Sequence, residues 1–180
     1  MVKLYKNFNI KNNDKNSLIL IGNFDGVHLG HQKLFKLAKL YKKKYKIKIG
    51  VVNFDPMPKM FFNKLLKNFR LSSINQKIQL LSKLKVDFII TKKFDKKFSK
   101  TKSINFIKEI LNKKLRAKFI FVSNNFRFGN KREGNVDLLI KNEKKFNFKV
   151  VKPQPLVKQQ KIISSTLIRS FLEKGFLEKA

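Results

Sequence analysis

Cysteine and tryptophan are both missing from this 180-residue chain, and histidine occurs only twice. Without cysteine there is no disulfide framework and no thiolate chemistry. Two histidines, at 28 and 31, leave nothing for a His-based zinc site elsewhere. No apolar run approaches 18 residues, so no membrane-spanning helix is signalled. The segment Met1 to Asn16, dotted with Lys and Asn, lacks a signal-peptide core. The expectation is a cytoplasmic protein with no membrane partner. Acidic residues are scarce, 11 against 43 Lys and Arg, for a net charge of +32. Such a balance ordinarily points to nucleic acid or another anionic surface. Here only five of the basic residues are arginine, at 70, 116, 127, 132 and 169. The lysines, as in Lys42-Lys43-Lys44 or Lys96-Lys97, interrupt every element instead of forming one stripe. Lys, Asn, Ile and Phe are abundant, and all have A/T-rich codons. The charge therefore reads as compositional drift that raises local phosphate concentration, and no specific nucleic-acid partner is expected.

The length suggests one domain, residues 1–180, and a 42% hydrophobic content can fill its core. Apolar runs and helical patterns alternate along it. Strands are predicted at 17–22, 47–54, 86–90, 118–122 and 148–152, and helices at 29–44, 74–84, 103–113, 135–144 and 166–174. This alternation predicts the α/β class: a doubly wound, five-stranded parallel sheet with helices on both faces. A small inserted subdomain is expected near 55–75 or 92–102. Ligands of such sheets bind beyond the carboxyl ends of the strands, at the switch point.

The first predicted strand ends in GNFDGVHLGH at 22–31, and a helical pattern follows. A helix start carries free N–H groups and the positive end of the dipole. Gly22, Gly26 and Gly30 let a phosphate approach the backbone. His28 and His31, three residues apart, share one side of the first turn and can donate to one phosphate. Asp25-Gly26 could instead form a hairpin turn, but a helix follows where a second strand should be. The pattern reads as a nucleotide-phosphate site.

Three further strand ends carry polar or aromatic residues. Phe54-Asp55-Pro56-Met57-Pro58 is a rigid exit with Phe61 and Phe62 beyond it. It suits a wall for a ring-shaped ligand, though alone it reads as a plain Pro-rich turn. Residues 123–135, SNNFRFGNKREGN, offer amides for a ring's edge and arginines for a phosphate; alone they read as a long surface loop. Ser164, Ser165 and Thr166 precede a helical face, and one hydroxyl suffices to cap it. Three in a row with Arg169 one turn on suggest a second anion site.

Taken together, the stretches GNFDGVHLGHQKLF (22–35), VVNFDPMPK (51–59), RLSSINQKIQLLSKLKVDFII (70–90), NNFRFGNKREGNVDLL (124–139) and ISSTLIRSFLEKG (163–175) resemble the FMN adenylyltransferase module of the bifunctional riboflavin kinase/FAD synthetase family. Its parent class is the HxGH nucleotidyltransferase superfamily. The resemblance implies a Rossmann-like fold and transfer of AMP from ATP to FMN, giving FAD and pyrophosphate, with Mg²⁺ accompanying ATP. Flavoenzymes would be the users of the product. It implies His28, His31 and Arg169 as catalytic residues. Gly22, Phe24, Asp25, Gly26, Gly30, Ser164, Ser165 and Thr166 would bind ATP, and Phe54, Asp55, Pro56, Pro58, Phe62, Asn125, Phe126, Arg127 and Phe128 would surround the flavin. Metal ligands are not identified. Leu167 stands where the family commonly has Arg, and Ser123 where it usually has Gly. The family's riboflavin kinase section is not in this sequence, so phosphorylation of riboflavin is not expected. A related nucleotidyltransferase with a pantetheine or nicotinate acceptor is disfavoured by NNFRFG and FDPMPK. A basic, non-catalytic binder is disfavoured by the intact His28, His31 and Arg169.

Overall fold

The structure is a computed structural model that describes residues 2–66 and 69–180. Its centre is a parallel sheet in the order β1-β4-β3-β2-β5-β8, built from β1 (Lys3–Tyr5), β2 (Leu18–Ile21), β3 (Ile49–Asp55), β4 (Phe88–Lys93), β5 (Phe119–Phe121) and β8 (Lys149–Val151). Two hairpins lie outside it, β6 (Arg127–Phe128) with β7 (Gly134–Asn135) and β9 (Val157–Lys158) with β10 (Lys161–Ile162). The alternating pattern thus delivers the doubly wound parallel sheet, with six strands in place of the expected five. The additional strand, β1, pairs with β4 at the edge, Leu4 opposite Ile89.

Each central strand is covered on both faces, which is why it reads as an uninterrupted apolar run. All four residues of β2 are buried. In β3 the alternation is resolved by face: Ile49 and Val51 join one core cluster and Val52 the other. The first cluster packs α1 (Leu29–Tyr45) and α3 (Ile74–Lys83) on the sheet through Phe35, Ala38 and Leu81. The second packs the π-helical segment Phe106–Lys114, which continues α5 (Ser103–Asn105), and α6 (Val136–Lys141) on the opposite face. Ser73 and Gln76 form a reciprocal capping box at the start of α3. Gly50 makes room for Phe88; a Cβ there would lie 2.2 Å from the ring. Short helices α2 (Pro58–Phe62), α4 (Lys96–Ser99) and α7 (Glu143–Phe146) fill connections, and α8 (Ser165–Glu173) closes the chain's last crossing. The excursion expected near 55–75 contains α2 and a loop, and residues 67 and 68 lie outside the described ones.

The chain runs outward from β2 through β3 to β4, then returns to β5 on the other side of β2. Strand order therefore reverses between β2 and β5, and their carboxyl ends open a crevice. Several joints of the frame are closed by carboxylates. Asp14, fully buried, accepts from Lys3 (3.0 Å), Lys48 (2.7 Å) and the Tyr5 hydroxyl (2.7 Å). Burial pulls its pKa up, but these three partners outweigh burial and hold it at about 2. Asp87 accepts from Lys42 at 2.6 Å and from the Ile49 amide at 2.7 Å. Glu143 accepts from the Val150 amide, Glu133 from the Ser103 amide, and Asp95 caps α4 through the Phe98 amide.

Candidate functional site

At the crevice lies a cavity of about 650 Å³. The turn after β2 forms its floor. Phe24 (φ 47°), Gly26 (φ 73°) and Val27 (φ 43°) all take left-handed backbone geometry, compressing the turn so that α1 starts beside the carboxyl end of β2. Gly26 fits beneath Leu71, and its N–H donates to the Ser72 hydroxyl at 3.2 Å. Gly30 allows a close approach: a Cβ there would meet the Ile163 carbonyl oxygen at 3.0 Å and the His28 ring at 3.1 Å. The glycine of HxGH thus lets the backbone before α8 lie against the start of α1.

His28 and His31 stack with ring centroids 3.7 Å apart, and Phe24 packs edge-on to His31 at 5.3 Å. Burial pushes both imidazoles below the ordinary histidine pKa. For His31 burial acts first and the neighbouring His28 and Lys77 add to it, bringing the value to about 3. A charge on one stacked ring would also oppose a charge on the other. Each Nδ1 is buried without a hydrogen-bond partner among the described residues. Both residues line the cavity.

The amino end of α8 lines the same cavity. Ser164 is its N-cap, accepting from the Leu167 amide at 3.2 Å. The Ser165 hydroxyl donates to the Asp25 carbonyl at 3.0 Å, tying α8 to the turn after β2. The amides of Ser165 and Thr166 have no internal partner among the described residues, and both residues line the cavity. Asp25 itself is buried. Its carboxylate accepts from the Leu71 amide (3.0 Å), the Ser72 amide (3.2 Å) and Arg169 Nη2 (2.6 Å). Arg169 Nε donates to the Phe69 carbonyl at 2.7 Å, and the guanidinium lies over the Phe69 ring at 3.8 Å.

Of the sequence-predicted site residues, His28, His31, Arg169, Gly22, Phe24, Asp25, Gly30, Ser164, Ser165, Thr166 and Asn125 line this one cavity. Gly26 does not line it and lies against Leu71. Phe54, Asp55, Pro56, Pro58, Phe62, Phe126, Arg127 and Phe128 do not line it. The aromatic members of that set belong instead to a chain of rings beside it. Phe62 contacts Phe94 (5.8 Å), Phe94 contacts Phe54 (5.9 Å), and Phe54 contacts Phe98 (5.5 Å). From there Phe106, Phe128 and Phe126 continue the chain. Asp55 pairs with Arg70. Met57, between the two prolines, reaches the cavity wall.

The sequence reading missed several cavity residues: Lys33, Lys59, Phe69, and the run Pro153-Gln154-Pro155-Leu156 after β8. The last could have been found, since it repeats the two-proline strand exit seen at Pro56 and Pro58. It also missed Lys77, which is 3% exposed on α3. Burial lowers its pKa, partly offset by Asp25 and Asp55. Among the described residues no group of three or more His, Cys, Asp or Glu is placed to hold a metal ion, and none of the helices is long and apolar enough to cross a membrane.

Residues 10–167 match the family model described as FAD synthetase. Curated relatives bear the name bifunctional riboflavin kinase/FMN adenylyltransferase. One from Buchnera aphidicola subsp. Schizaphis graminum (strain Sg) is 45% identical over 175 residues, covering 96% of this chain and 55% of the relative. One from Escherichia coli (strain K12) is 35% identical over 155 residues, covering 86% and 50%. The chain thus spans about half the length of the curated relatives it matches. Among solved structures, a protein from Streptococcus pneumoniae described as a macrolide-efflux protein superposes with a TM-score of 0.81 at 23% identity, over 100% of this chain and 60% of that one. Pantoate-beta-alanine ligase from Francisella tularensis superposes with a TM-score of 0.61 at 14% identity, over 94% and 73%. These two likenesses concern the fold.

Proposed function

Because the chain belongs to the FAD synthetase family, we propose that it transfers the adenylyl group of ATP to FMN, giving FAD and pyrophosphate. The observation that carries this reading is that the stacked His28–His31 pair and the free amides of α8 line one cavity. An oxygen of the FMN phosphate attacks the α-phosphorus of ATP. A P–O bond forms there as the bond to the bridging oxygen breaks, and pyrophosphate leaves with that electron pair. Such a reaction asks for positioning and charge stabilisation, and no covalent intermediate on the protein is needed.

The neutral imidazoles of His28 and His31 donate N–H groups to the triphosphate as charge develops on it. Ser165 and Thr166 receive the leaving pyrophosphate on their amides, at the positive end of α8. Arg169 meets it through Nη1, which has no hydrogen bond among the described residues. Asp25 contributes by holding Arg169 and the 71–72 amides, and touches no substrate. Gly22, Phe24 and Gly30 shape the nucleotide pocket. The ring chain from Phe62 to Phe126, with Asp55, Pro56, Pro58, Asn125 and Arg127 around it, offers a stacking surface for the flavin. Mg²⁺ accompanying ATP would screen the charge of the triphosphate; among the described residues no group of three or more His, Cys, Asp or Glu is placed to hold it. Flavoenzymes would consume the product.

The test mixes protein, FMN, ATP and Mg²⁺ and follows flavin fluorescence, which falls as stacked adenine quenches FAD, together with released pyrophosphate. His28→Ala and His31→Ala should each lower turnover about a hundredfold, the usual cost of removing one charge-stabilising donor. FMN affinity should stay nearly unchanged. Unchanged turnover with weakened FMN binding would reduce the histidines to scaffolding.

A further inference from the structure

Phe69 lies in the loop between α2 and α3, outside every stretch that pointed to nucleotide chemistry. In the fold it lines the cavity and covers Arg169. Three contacts fix that guanidinium: Nε on the Phe69 carbonyl (2.7 Å), Nη2 on Asp25 (2.6 Å), and the aromatic face at 3.8 Å. A second cation gathers on the same ring, the Lys59 ammonium at 4.8 Å, and Lys59 also lines the cavity. The loop carrying Phe69 is itself anchored, because Leu71 and Ser72 donate their amides to Asp25.

We propose that Phe69 is a positioning residue that holds the Arg169 guanidinium, and with it the Lys59 ammonium, ready for the pyrophosphate end of the nucleotide. The proposal rests on the reading above that Arg169 meets phosphate. Two nitrogens of Arg169 are tied and its plane is set by the ring. The remaining edge is therefore oriented before any ligand arrives, and less side-chain freedom is lost when an anion binds. The ring also keeps water from the Arg169–Asp25 pair, whose side chains are only 15% and 2% exposed. The carbonyl half of the arrangement belongs to the backbone and survives substitution, so a change at Phe69 isolates the ring.

The experiment measures binding of inorganic pyrophosphate by calorimetry, with no catalysis required. Phe69→Leu keeps an apolar side chain without a π face and should weaken pyrophosphate about tenfold, within reach of a partly desolvated cation–π contact. Phe69→Tyr restores the face and should bind within about twofold of the parent, while FMN affinity is the same in all variants. Arg169→Met provides the reference and should weaken pyrophosphate at least as much as Phe69→Leu. If Arg169→Met weakens binding while Phe69→Leu binds like the parent, the role given to Phe69 is wrong and that of Arg169 stands. If Arg169→Met also binds like the parent, Arg169 meets no phosphate and both readings fall. A Tyr variant as weak as the Leu variant would refer the effect to packing and overturn the cation–π argument.

Discussion

Replacing Asp25 by asparagine removes one charge from the joint that ties together the turn after β2, the 69–72 loop and α8. The native carboxylate is 2% exposed and accepts from Arg169 at 2.6 Å, the Leu71 amide at 3.0 Å and the Ser72 amide at 3.2 Å. Asparagine keeps one acceptor oxygen and brings an NH₂ where every partner is already a donor. One or two amide bonds survive, and either Arg169 or a backbone N–H loses its acceptor. Removing one partner of a buried ion pair costs about 3–5 kcal/mol. Arg169 retains 15% exposure and some water, which places the cost near the lower end, about 3 kcal/mol. For a chain of this size each kcal/mol moves the melting midpoint by about 2–4 °C, so Asp25→Asn should melt about 6–12 °C lower. Circular dichroism through the thermal transition reads this directly. The double variant with Arg169→Met should melt no lower than Asp25→Asn alone, because the unpaired cation that causes the loss is gone. A single variant melting within about 2 °C of the parent would refute the reasoning, and so would fully additive effects in the pair.

The remaining expectations are simpler to check. His31, held at about 3 by burial above all, should leave its ring signals unmoved between pH 8 and 5 in proton NMR, which is readable because the chain has just two histidines. The unfolded chain takes up that proton below about pH 6.5 while the native state refuses it. This contribution is therefore complete above about pH 6.5 and lost progressively as pH falls toward 3; a His31 midpoint near 6.5 would contradict it. Gly30→Ala places a methyl group 3.0 Å from the Ile163 carbonyl oxygen, and should cost about 1–3 kcal/mol and lower turnover more than FMN affinity. An alanine variant with parental melting and turnover would show that the close approach is dispensable.

The parts of the fold that could be read in the sequence are those whose pattern is local. β2 through β5 and β8 announce themselves as apolar runs, and α1 and α3 as helical patterns. β1 escaped because Lys3–Tyr5 is a three-residue edge strand with no repeat long enough to register. His28 and His31 were visible because their spacing and glycines carry their own chemistry. The partnership of Asp25 with Arg169 joins positions 144 apart, and nothing local in either segment encodes it. The resemblance offered Asp25 for the nucleotide pocket; the fold shows in addition that its carboxylate ties the 71–72 amides and Arg169 together. Phe69, Phe94 and Phe98 were hidden by abundance: among 19 phenylalanines, only the folded arrangement separates a wall from a filler. Lys77 sits on the buried side of α3, where the helical pattern leads one to expect an apolar residue.

The carboxylates at the joints of the frame have a consequence for how this sequence can change. Of 11 acidic residues, Glu109 pairs only with Lys113 on an exposed helix face, whereas seven, Asp14, Asp25, Asp55, Asp87, Asp95, Glu133 and Glu143, bind a cation or a backbone amide at a joint of the frame. Lysine can spread over the solvent-facing surface with little structural penalty, since an exposed side chain there has few fixed partners. At these seven positions the same substitution would set a cation against donors or against another cation. The net charge of +32 therefore marks a surface permissive toward mutation around a small set of anions that are not, and the tolerance of the chain ends where those seven begin.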